Sequence, residues 1–147
     1  MTTLSGHCLC GAIRYAVTPK MEEGELRVDA CHCAMCRRQV GGPLMGVTLD
    51  GAPVIEDETH LGVFASSEWA ERLFCKKCGT NLFYRLRDGS FHTANAGALD
   101  GLEDAKFAMQ IFVDEKPAYY DFAQDTKKLT GTEVMALFAG EGDPSRD

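Results

Sequence analysis

At 147 residues, 45% hydrophobic and 25% charged, the chain has the size and composition of one soluble globular domain able to bury a core without staples. Its formal charge of −7 speaks against a general nucleic-acid binder, because phosphate recognition needs a basic surface. No apolar run is long enough to cross a bilayer, and the opening Met-Thr-Thr-Leu-Ser-Gly-His-Cys lacks the basic start and apolar stretch of a signal peptide; a cytoplasmic protein without membrane attachment is expected.

Short strands punctuated by glycine turns are expected through most of the chain. Residues 12–17 alternate and are rich in strand formers, and residues 26–30 lead into a run of cysteines. Further strands are expected at 44–49, 53–55, 61–65, 72–74, 82–86, 91–96 and 107–113. Turn signals separate them at Gly41-Gly42-Pro43, Asp50-Gly51, Asp88-Gly89 and Asp100-Gly101. Such spacing predicts a mainly β, mostly antiparallel architecture rather than βαβ units. One short helical turn is expected over 34–40. A C-terminal helix is expected over 132–139, capped by Thr130 or Thr132 and ended by Gly140. Residues 142–147, polar and containing Pro144, read as a frayed tail.

Seven cysteines carry the chemistry, and their spacing divides them. Cys8 and Cys10 form Cys-x-Cys; Cys75 and Cys78 form Cys-x-x-Cys; between them lies the run Cys31-His32-Cys33-Ala34-Met35-Cys36. Disulfides fit poorly, since the number is odd and Cys-x-Cys pairs seldom meet disulfide geometry. A redox role for Cys75 and Cys78 is a better rival, but a thioredoxin-type pair starts a helix, whereas Gly79-Thr80-Asn81 reads as a turn. Metal binding accounts for more. Glycine after Cys10 and after Cys78 suits a zinc knuckle, so Cys8, Cys10, Cys75 and Cys78 are assigned to one closed, structural zinc. Spacing alone leaves open which pairs share an ion, and iron suits a thiolate tetrahedron as well as zinc does.

The trio Cys31, Cys33 and Cys36 cannot fill a tetrahedron. Its fourth ligand is water, a substrate or a protein side chain, with His7, His32, His60 and His92 as the histidine candidates. His32 lies between two ligands in an extended run, so its ring is expected to point away from their metal. His60 and His92 read as surface or packed histidines. Three thiolates on a divalent ion leave a charge of about −1, which activates water less than a tris-histidine site does. A centre of this kind is better suited to holding a substrate thiol as its thiolate, and so to adding a thiol to an electrophile or to the reverse cleavage. Arg37, Arg38, Arg72, Lys76 and Lys77 lie close to cysteines in sequence. They either offset thiolate charge or receive an anionic substrate.

The stretches Gly6-His7-Cys8-Leu9-Cys10-Gly11-Ala12-Ile13-Arg14-Tyr15 and Cys31-His32-Cys33-Ala34-Met35-Cys36-Arg37 resemble the glutathione-dependent formaldehyde-activating family, also called the centromere-protein-V/GFA domain. So do Phe64 with Ser66-Ser67, the run Arg72-Leu73-Phe74-Cys75-Lys76-Lys77-Cys78-Gly79-Thr80, and Ala98-Leu99-Asp100 with Ile111-Phe112-Val113 and Lys116-Pro117. The resemblance implies a β-tent fold with two zincs per chain, a GFA-type domain over 4–124, and a C-terminal helix and tail over 125–147. It implies a structural zinc on Cys8, Cys10, Cys75 and Cys78 and a catalytic zinc on Cys31, Cys33 and Cys36. The implied activity is that of a carbon–sulfur lyase similar to S-(hydroxymethyl)glutathione synthase, with a small thiol and an aldehyde as partners. Two positions depart from the family's pattern: Gln110 stands where a histidine is frequent, and Tyr119 or Tyr120 where a tryptophan is. The alternative to an enzyme is a non-catalytic zinc module of the same fold that binds a partner.

Overall fold

The computed structural model describes residues 2–140, which form two sheets packed face to face. The smaller sheet takes β1 (Leu4–His7), β2 (Arg14–Val17) and β5 (Val54–Ile55), with β2 in the middle. The larger has eight strands in the order β11-β10-β3-β4-β9-β8-β7-β6. Its members are β3 (Arg27–Cys31), β4 (Leu44–Thr48), β6 (Leu61–Ala65), β7 (Ala70–Cys75), β8 (Asn81–Leu86), β9 (His92–Asn95), β10 (Lys106–Ile111) and β11 (Lys127–Leu129). Two helices complete it: α1 (Ala34–Val40) directly after β3, and α2 (Gly131–Gly140) at the C-terminal side. The expected mainly β fold with a short C-terminal helix is the one found. The expected tail at 142–147 lies outside the described residues.

Register shows where the core is and which face is left for chemistry. Val47 pairs with Ala94, Ala94 with Phe83 and Phe83 with Leu73, and all four are buried. Opposed residues on neighbouring strands share a face, so this row faces the small sheet. There it meets Ile13, Tyr15 and Val17, with the Tyr15 and Phe83 rings edge to face at 4.7 Å. The alternate positions, Arg72 opposite Tyr84 and Tyr84 opposite Thr93, face the other way.

Pairing is mostly antiparallel, but β10 runs parallel to both β3 and β11. The connection from β3 to β10 spans most of the domain, long enough for a parallel return that no hairpin could make. Two strands escape a reading by pattern. In β1, Gly6 weakens the strand signal. It is required there because a Cβ at this position would lie 2.6 Å from the Ala98 carbonyl oxygen and 2.7 Å from the Tyr15 ring. Gly6→Ala is therefore expected to cost about 1–3 kcal/mol through overpacking, read as a lowered thermal midpoint. In β11, two lysines and one leucine give no alternation, as suits a short edge strand guarded by charge. Helix α2 starts with a capping box: Glu133 N donates to Thr130 Oγ1 at 3.2 Å, and Thr130 N donates to Glu133 Oε1 at 2.8 Å.

Candidate metal centres

All seven cysteines are free thiols, and their sulfurs converge in the two groups that spacing suggested. Within each group the sulfurs lie within 4.8 Å of one another.

The first group joins two turns. Gly11 N donates to the Cys8 carbonyl at 3.0 Å, and Gly79 N donates to the Cys75 carbonyl at 2.8 Å. Both glycines have φ of +80°, the left-handed conformation that the tight return requires. The turns are held to each other by Leu9 N donating to Thr80 Oγ1 at 3.0 Å. Cys8 and Cys10 sulfurs stand 3.6 Å apart, and Cys10 and Cys75 sulfurs 3.8 Å apart. Zinc–sulfur bonds of about 2.3 Å in a tetrahedron set sulfurs about 3.8 Å apart, so the geometry fits a zinc-sized ion. Cys8 and Cys75 are fully buried beside Ile13 and Leu82, which places this cluster at the edge of the intersheet core.

The second group is built by the junction of β3 with α1. Cys31 ends the strand, and Cys33 is the N-cap of the helix, its sulfur accepting from Cys36 N at 3.4 Å. Cys36 follows one turn later and is buried. Hydrogen bonds from the Cys31 and Cys36 sulfurs pull the Cys33 thiol well below its usual range, and Cys31 is correspondingly pushed up by Cys33 and Cys36. Among the described residues no histidine, aspartate or glutamate joins the trio's three sulfurs.

His32, between two of the cysteines, is fully buried and turned elsewhere, as its alternation predicts. Its Nε2 meets Gln110 Oε1 at 2.8 Å and its Nδ1 meets the Tyr120 hydroxyl at 2.7 Å. Gln110 Nε2 in turn donates to Thr126 Oγ1 at 2.9 Å. With the Gln110 oxygen accepting, Nε2 is the donor of that pair, and a neutral ring would accept from Tyr120 at Nδ1. Gln110, one departure from the family pattern, and Tyr120, one of the two tyrosines named for the other, are thus the two partners of His32. Tyr120→Phe strands a buried ring nitrogen and is expected to cost about 1–3 kcal/mol, measurable by chemical denaturation.

Further bonds fix the same loop. His32 N donates to the Ile111 carbonyl at 3.1 Å, Ala34 N to Glu115 Oε1 at 2.9 Å, and Arg37 Nε to the His32 carbonyl at 2.9 Å. Gln110, Glu115 and Tyr120 act 78 or more residues from their partners in the chain, and sequence reasoning missed all three roles. Of the nearby cations, Arg38, Lys76 and Lys77 are not buried, and Arg37 supports the loop. Arg72 alone is deeply buried, 6% exposed, with Nη1 donating to Cys36 Sγ at 3.4 Å and to Gln39 Oε1 at 2.9 Å. Burial opposes its charge, but the Cys36 and Cys33 sulfurs more than offset this and hold the guanidinium above its usual range. The other candidate histidines lie apart from the trio: His92 is buried on β9, and His7 Nδ1 contacts the Cys8 carbonyl.

A cleft of about 440 Å³ opens beside the trio's scaffold, lined by Gln39, Val40, Leu44, Met45, Asn81 and Asn95 with Pro43, Gly79 and Gly97. Among the described residues no charged side chain lines it. Gln39 lies three residues after Cys36 on α1, and Leu44 pairs with Cys31. The cleft therefore lies between the α1–β4 segment that follows the trio and Gly79 of the Cys75–Cys78 turn.

Fold and clusters together define a mainly β protein with two thiol clusters, each able to hold a metal ion: one of four sulfurs, one of three. Residues 3–115 match the model of the glutathione-dependent formaldehyde-activating enzyme family, and the chain belongs to that family. It is 38% identical over 136 residues to an uncharacterized lyase of Schizosaccharomyces pombe, covering 92% of this chain and 96% of that protein. It is also 27% identical over 152 residues to a putative glutathione-dependent formaldehyde-activating enzyme of Halomonas elongata, covering 97% and 90% of the two chains. A Rhodobacter sphaeroides protein of known crystal structure shares the fold with a TM-score of 0.55 and 21% identity, over 71% of this chain and 99% of that one. No helix among the described residues is long and apolar enough to cross a membrane.

Proposed function

We propose that the protein is a zinc-dependent carbon–sulfur lyase that joins a small thiol, glutathione or a similar compound, to formaldehyde or another small aldehyde, and runs the reverse cleavage. The observation that carries this reading is the trio of sulfurs with no fourth protein ligand among the described residues. The relatives' names, a lyase and a glutathione-dependent formaldehyde-activating enzyme, support the reaction class.

In this reading Cys8, Cys10, Cys75 and Cys78 hold a structural zinc, and Cys31, Cys33 and Cys36 hold the catalytic one. A zinc ion in the trio would supply a vacant coordination position at which an incoming thiol loses its proton near neutral pH. The chain's own part is to fix three thiolates and leave that position accessible. The His32 clasp, the Glu115 contact with Ala34 and the Arg37 contact with the His32 carbonyl hold the loop in one geometry, so that little reorganisation accompanies reaction. The uncharged cleft with the Gln39 and Asn81 amides receives the body of the thiol. A carbon–sulfur bond forms as the carbonyl π bond opens, and the thiol's proton ends on the former carbonyl oxygen. Atoms and electrons balance without any redox partner.

Exchange NMR tests this. Mixtures of formaldehyde or other small aldehydes with several low-molecular-weight thiols interconvert with their adducts. The metal-loaded protein is expected to accelerate one such exchange selectively. No acceleration with any pair, from protein carrying two metals, would reject the enzyme and favour a non-catalytic module.

A further inference from the structure

We propose that Arg72 is the counter-charge that lets the Cys31–Cys33–Cys36 centre accept an anionic ligand from solution, a thiolate above all; this rests on the reading of that trio as an open metal centre. Arg72 is a positioning residue, acting through the electrostatics of the centre.

Its placement is unusual for an arginine. It stands in the middle of β7 on the face turned away from the intersheet core, 6% exposed. A guanidinium does not deprotonate in proteins, so a buried one needs an anion close by. The ion pairs formed among the described residues use Arg27, Arg85, Arg87 and Lys106, and none brings a carboxylate to Arg72. Its hydrogen-bonded neighbour in the trio is the sulfur of Cys36, at 3.4 Å from Nη1, which would be a thiolate when the trio holds a metal ion. The same Nη1 donates to Gln39, one helical turn beyond Cys36, and the guanidinium lies 5.2 Å from the centre of the Tyr84 ring. Nε is buried without a hydrogen-bond partner. The protein thus keeps a buried, incompletely satisfied cation against the trio, a costly arrangement unless its charge is needed there.

The need follows from charge at the trio. Three thiolates around a divalent ion carry about −1, and a fourth, anionic ligand would arrive against that charge. Adding the arginine brings the local total to about zero, so the thiolate meets a neutral centre instead of a repelling one. Among the described residues the four-cysteine cluster has no comparable buried arginine: Lys76 and Lys77, between its ligands, are not buried. A closed cluster receives no further anion, which matches the difference.

The test uses the full chain loaded with cobalt(II), whose thiolate-to-metal absorption reports each sulfur bound. The four-cysteine cluster is expected to contribute a constant background. Wild type, R72M and R72K are titrated with 2-mercaptoethanol, which binds as an anion, and with imidazole, which binds neutral. R72M is expected to weaken thiolate binding by about tenfold to a hundredfold while leaving imidazole binding within about twofold. R72K is expected to recover most of the thiolate affinity. Equal loss of both ligands in R72M, or loss of neither, overturns the proposal, since a merely structural arginine does not distinguish them by charge. If R72M does not fold, R72Q replaces it; failure of both neutral variants beside a folded R72K would assign the charge to the fold and overturn the proposal too. Uptake of neither ligand by wild type would instead refute the open centre itself.

Discussion

Cys33→Ser is expected to bring carbon–sulfur exchange down by more than about 100-fold, beyond what loss of an outer-shell partner alone causes, while the protein stays folded. The structure explains why this substitution separates chemistry from stability. Cys33 is the N-cap of α1, where its sulfur accepts from Cys36 N. Serine is among the best N-cap residues, so the helix start is kept or improved. The clasp around His32 and the bond from Ala34 to Glu115 do not involve the Cys33 side chain. What disappears is one of three thiolates, since a serine hydroxyl is not ionised near neutral pH. Metal analysis should find one ion lost per chain, and the thermal midpoint should move by no more than a few degrees. A variant that unfolds would show that the trio's metal holds the domain together. One that keeps both its metal and its rate would show that the trio is not the reacting centre.

Cys75→Ser is expected to do the opposite and abolish the cooperative fold. Cys75 is fully buried at the end of β7, and its cluster ties the turn after β1 to the large sheet. Structural zinc in small domains contributes about 10–16 kcal/mol of apparent binding energy, as much as or more than the net stability of about 5–15 kcal/mol typical of a domain. Its loss also leaves three thiols and a hydroxyl beside Ile13 and Leu82 with their polar groups unsatisfied. Circular dichroism during heating should show no sharp transition, and the variant should lose metal from both clusters. A melt like that of wild type would remove the structural role from this cluster.

Much of this was legible in the chain because it is local. Strands such as Leu61–Ala65 and the helix Ala34–Val40 carry their own pattern and fall at the expected bounds. The division of the cysteines is also local, because Cys-x-Cys and Cys-x-x-Cys bring sulfurs together through a single turn. Arg72 shows what spacing does not reveal. In sequence it stands three residues before Cys75, yet its side chain reaches Cys36, 36 positions away. Alternation along β7 explains this: Leu73 and Cys75 turn to the core, and Arg72 turns to the opposite face, where α1 lies. The partners of His32 were hidden for a similar reason, since the parallel pairing of β10 with β3 brings Gln110 to it and no local pattern announces that pairing.

Thiol addition at the trio requires one free coordination position there, and a crystal structure of the zinc-loaded protein, with and without a soaked thiol, tests it most directly. The prediction is an anomalous zinc peak bonded to Cys31, Cys33 and Cys36, with the fourth position taken by solvent and then by the thiol's sulfur after soaking. A fourth position filled in both crystals by an imidazole or carboxylate of the chain itself would contradict it.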